Sequence, residues 1–77
     1  MTPLPRLNAN ALAILLEGLG FSCVRSKGSH FAYRHPDGSA TSIPFHGSGQ
    51  LSVKFIKTVL MQIGLSDEEY IRLVAKL

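Results

Sequence analysis

The sequence has a single cysteine, Cys23, so no internal disulfide can staple the fold, which suits a reducing compartment. It has no apolar run near the roughly 18 residues that a membrane helix needs. Pro3 and Pro5 stand where a secretion signal would need continuous apolar residues behind a basic start. These absences predict a soluble, cytoplasmic protein. Also missing are a phosphate-cradling glycine loop, a Ser-His-Asp arrangement, paired catalytic carboxylates, internal repeats and low-complexity segments. Carboxylates are scarce, five against eight lysines and arginines, for a net charge of +3. Asp67, Glu68 and Glu69 sit together at a helix start, where they complement the helix dipole. The mild basic bias permits a phosphate-backbone or acidic protein partner. The apolar fraction of 45% excludes disorder, and 77 residues hold one core near the lower limit for folding alone.

What is present reads as alternating local signals. Met1 to Arg6 is a proline-bearing lead-in expected to be flexible. Asn8 or Asn10 caps a helix of about 10 residues whose stripe is Leu12, Leu15, Leu16 and Leu19. Gly20 is placed to stop it in the left-handed conformation. Phe21 to Ser26 reads as a strand of imperfect alternation, with Cys23 as a small buried filler and the parity at Val24 unresolved. Gly28-Ser29 turns the chain. Alternation then sharpens: Phe31 and Tyr33 point one way, His30, Ala32 and Arg34 the other. Pro36-Asp37-Gly38 is a second turn, and Thr41 to Phe45 returns, with Pro44 fit only for an edge or a strand's end. His46 to Gly49 is a loop. Ser52 caps a helix with Val53, Ile56, Val59, Leu60 and Ile63 on its buried face, and Gly64 ends it. Ser66 with Glu69 is a capping box for a short last helix that docks Tyr70, Ile71 and Val74. The expected fold class is α+β: helix, three antiparallel strands, helix, short helix, with the helices on one face of the sheet.

The three histidines are the residues whose ordinary pKa lies near neutrality, so acid–base chemistry at pH 7 starts with them. His30 opens a strand behind Lys27 and a flexible Gly-Ser. An ammonium, turn amides and an imidazole suit a phosphodiester; a hydrogen-bonded bystander is the other use of a histidine there. Arg25 and Arg34 join Lys27 in a basic cluster around His30, which Arg6, Lys54 and Lys57 extend if the fold brings them near. His35 and His46 read as exposed loop residues. No carboxylate or second cysteine lies at ligand spacing, so no metal site is expected.

Gly20-Phe21, Arg25, Lys27-Gly28-Ser29-His30, His35-Pro36-Asp37-Gly38, Pro44-Phe45-His46 and Ile63-Gly64-Leu65-Ser66, in this order and spacing, resemble the HicA toxin family over roughly Asn8 to Leu73. The resemblance implies that 1–77 is a single HicA-like domain with a fold similar to the double-stranded-RNA-binding domain. It implies an mRNA interferase of a type II toxin–antitoxin system, held inactive by a HicB antitoxin. His30 falls on the family's catalytic histidine and Gly28 on its motif; no metal or organic cofactor is implied. The residues expected to hold RNA are Arg25, Lys27, Gly28, Ser29 and Arg34. Two departures stand out: Ser26 where glutamine is frequent, and Val53-Lys54-Phe55 in place of the Gly-Thr that opens the second helix. The expected mechanism is transesterification by the RNA's own 2′-OH, with His30 as base or acid and Tyr33, Ser29 or water in the second role. The alternative is a noncatalytic module of the same fold that holds RNA or protein.

Overall fold

A computed structural model describes residues 4–45 and 49–77. Its elements follow the expected order: α1 (Ala9–Gly18), β1 (Ser22–Lys27), β2 (His30–Arg34), β3 (Ala40–Pro44), α2 (Val53–Ile63) and α3 (Asp67–Val74). The sheet is antiparallel in the order β1-β2-β3. His46 lies outside the described residues.

Each helix starts on a side-chain oxygen that accepts an otherwise orphaned amide. Asn8, not Asn10, caps α1 by accepting from Ala11 N–H at 2.8 Å. Ser52 accepts from Phe55 N–H and Ser66 from Glu69 N–H, both at 3.1 Å. The α1 stop is a Schellman closure: Phe21 N–H donates to Leu16 O at 3.0 Å and Gly20 N–H to Glu17 O at 3.1 Å. Gly20 takes φ +100°, and a Cβ there would meet His35 Nε2 at 3.0 Å. Gly20→Ala therefore combines left-handed strain with a clash against a ring. It is expected to lower Tm by about 5–15 °C, and a melting curve superimposable on wild type would refute this.

Both long helices pack against β3, and the core lies between them and one sheet face: Leu12, Leu16, Ile43, Ile56, Val59 and Tyr70 are fully buried. Tyr33 and Thr41 face the same side. Helical cover does not extend to β1, whose six residues are all exposed. That corrects the reading of Cys23 as a buried filler: its thiol is exposed, because the outermost strand lies beyond the helices. Val53 is likewise exposed rather than buried, since it opens α2 before the helix has turned onto the sheet.

The lead-in is docked from Leu4 onward. Leu4 is buried, and the fully buried Tyr70 donates its hydroxyl to Pro5 O at 2.6 Å. Arg6 donates from Nε to Leu51 O at 2.9 Å and from Nη2 to Gln50 O at 3.0 Å. Leu51 N–H donates to Leu7 O at 2.8 Å. These contacts bind the start of the chain to the approach of α2 and to α3.

Candidate nucleic-acid interface

The β1–β2 hairpin has a two-residue loop, Gly28-Ser29, between the partnered residues Lys27 and His30. Gly28 has φ +60°, whereas Ser29 does not enter positive φ, the pattern of a type II′ turn with glycine first. Ser29 O accepts from Phe45 N–H at 2.7 Å, tying the turn to the end of β3. Beside it, the Phe31 and Phe45 rings meet edge to face with centroids 4.6 Å apart.

Register decides which side chains share a face, because directly opposite residues project to the same side. His30 lies between Lys27 of β1 and Pro44 of β3, and Ala32 between Arg25 and Ser42. Arg34 lies between Ser22 and Ala40. A bulge between Cys23 and Arg25 absorbs Val24 and resets the parity of β1. Arg25 thus shares the open face with His30, and Ser26 does not. The bulge is the physical source of the imperfect alternation in the sequence.

The open face therefore carries Arg25, Lys27, His30 and Arg34, all exposed, and no carboxylate among its described residues. The five acidic residues lie elsewhere: Glu17 late in α1, Asp37 in the β2–β3 turn, and Asp67, Glu68 and Glu69 opening α3. Arg6 and Lys57 do not extend the cluster. Arg6 is held on the carbonyls of Gln50 and Leu51, and Lys57 pairs with Asp67 at 3.5 Å. Lys54 lies in the first turn of α2.

Tyr33 does not share the open face with His30. Three positions along the strand put it on the opposite face, where it is buried, and burial pushes its phenol above the usual value, aided by nearby Cys23 and Glu17.

His35 is not a loose loop residue. Its ring packs on Phe21 with centroids 5.1 Å apart, and its Nδ1 accepts from Asp37 N–H at 3.0 Å. The Asp37 carboxylate accepts from Ser39 N–H at 2.8 Å, and this bond holds its pKa below the ordinary value. His35 thus braces the β2–β3 turn at the far end of β2 from His30. Among the described residues no three His, Cys, Asp or Glu side chains gather as a metal site, and no helix is long and apolar enough to cross a membrane.

Sequence reasoning missed one feature of this face. A groove of ≈ 580 Å³ is lined by Arg25, Ala32, Arg34, Ala40 and Ser42 of this face, and it also reaches Tyr33 and Thr41 of the core-facing side and Gln62 of α2. The small residues at alternate strand positions were its only sequence signal. Gln62 arrives from α2, where it accepts from the Thr41 hydroxyl at 2.7 Å.

Comparison with known proteins gives one family. The model described as "HicA toxin of bacterial toxin-antitoxin" matches residues 10–65, which spans α1 through the end of α2 and includes the whole basic face. No curated protein matches the chain.

Proposed function

The chain belongs to the HicA toxin family, whose members generally cleave mRNA, and on that premise we propose that it is a metal-independent endoribonuclease centred on His30. The observation that carries the reading is the pairing of Lys27 directly across from His30 on a face without carboxylates. His30 takes the proton of a ribose 2′-OH, and the 2′-oxygen attacks the adjacent phosphorus. The bond from phosphorus to the 5′-oxygen breaks, leaving a 2′,3′-cyclic phosphate and a 5′-hydroxyl. Water or Ser29 supplies the proton to the departing oxygen. Lys27 offsets charge on the phosphate, and the Gly28-Ser29 turn lets backbone approach it closely. Arg25 and Arg34 hold flanking RNA on the same face. The 2′-OH requirement restricts the reaction to RNA. The protein acts in the cytoplasm, and a HicB-like antitoxin restrains it by covering this face.

The test is incubation of purified protein with RNA in the presence of a chelator, alongside the same oligonucleotide carrying a single 2′-deoxy sugar at each position in turn. Cleavage that survives the chelator and stops at one deoxy position is expected. RNA that shifts in mobility with steep salt dependence but is never shortened would favour the noncatalytic module.

A further inference from the structure

We propose that the groove between Arg25, Arg34 and Gln62 is a nucleotide subsite, and that Gln62 determines which base is accepted there. The proposal rests on the reading of His30 as an RNA-cleaving centre and adds to it a seat for the neighbouring residue of the strand. Ala32, in its lining, is two positions along β2 from His30 on the same face. That is roughly 7 Å of strand, about the reach of one extended nucleotide.

The occupant follows from the lining. Arg25 and Arg34 offer guanidinium forks to phosphate oxygens, and no carboxylate stands among the described residues of the face to oppose an anion. The volume of ≈ 580 Å³ falls within the ordinary range for small-ligand sites, about 300–1,000 Å³. The side chains of Ala32, Ala40 and Ser42 are small, so the nucleotide can settle against the sheet. Gln62 is the lining residue with direction. Its Oε1 is engaged by the hydroxyl of buried Thr41, which leaves the Nε2 hydrogens as oriented donors for an acceptor on a base edge. An amide held in this way discriminates bases, whereas the arginines grip any sequence.

Two substitutions on exposed or open-face positions test this without entering the core: Gln62→Ala removes the oriented amide, and Ala32→Leu fills the groove. Each is assayed on RNA oligonucleotides randomised at the positions flanking the cleaved bond. The wild type is expected to prefer one base at one flanking position. Gln62→Ala should flatten that preference by between a few-fold and about a hundredfold, with cleavage retained. Ala32→Leu should raise KM several-fold on all sequences. Unchanged preference in the first variant together with unchanged KM in the second overturns the subsite. Failure of the wild type to cleave any RNA defeats the underlying function instead. The groove is then judged by Kd for the same oligonucleotides with every 2′-oxygen methylated: weaker binding by Ala32→Leu supports it, and equal binding by both variants and wild type overturns it.

Discussion

Replacing His30 with alanine is expected to abolish RNA cleavage and growth arrest while leaving the circular dichroism spectrum and Tm close to wild type. The two halves of that expectation have separate physical grounds. Activity should fall by about 10²–10⁴-fold or more, the scale of general acid–base catalysis, since among the described residues the open face carries no second imidazole. Stability should hold because His30 is exposed and begins the strand, outside the buried core. His30→Gln serves as the companion variant, preserving hydrogen bonding without proton transfer. Arrest that persists in both variants, with shortened total RNA, would remove His30 from the chemistry.

The second large effect concerns folding. Tyr70→Ala should leave most of the protein unfolded at room temperature. Truncating a fully buried aromatic costs about 3–5 kcal/mol, which is about the whole stability of a core this size. Tyr70 also satisfies Pro5 O at 2.6 Å, so the alanine variant frees the lead-in as well. Tyr70→Phe separates the two contributions, because it keeps the ring and loses only the hydrogen bond, for a cost of about 1–3 kcal/mol. Burial pushes the Tyr70 phenol up to about 12, against about 10 for an unfolded chain. Below pH 10 both states keep the proton and stability is indifferent to this group. Between pH 10 and 12 the unfolded state releases it first, so stability falls as pH rises. Tyr70→Phe should lack that part of the alkaline decline. Denaturant midpoints measured from pH 8 to 12 check it; parallel curves for the two proteins would contradict the assignment.

How much of this was legible in the sequence depends on how far apart the interacting residues lie. The caps at Asn8, Ser52 and Ser66, the stop at Gly20 and the glycine-first hairpin turn are decided within a few residues. The sequence states them openly, apart from leaving Asn8 and Asn10 as alternatives for the first cap. The face shared by His30 and Arg34 follows from strand alternation alone. Arg25 joins that face through a bulge, and a bulge exists only in relation to a partner strand, so period-two reasoning stalled at Val24. Cys23 was misread because a lone cysteine among apolar strand residues reads as filler, whereas the helices stop short of β1. Tyr70 with Pro5, and Gln62 with Thr41, are tertiary pairs between distant segments. No local pattern announces them. His35 is a loop residue, as expected, but half-buried rather than exposed, because Phe21 at the entry to the adjacent strand packs on its ring.

The bulge at Val24 and the proline at the end of β3 also bear on what the molecule does when it is abundant. A three-stranded sheet has two raw borders, each a template for another chain. On one, the extra residue twists β1 and interrupts the even row of amides that a docking strand would read. On the other, Pro44 offers no N–H. An even, fully amide-bearing border would invite pairing between copies, and these two residues blunt both borders.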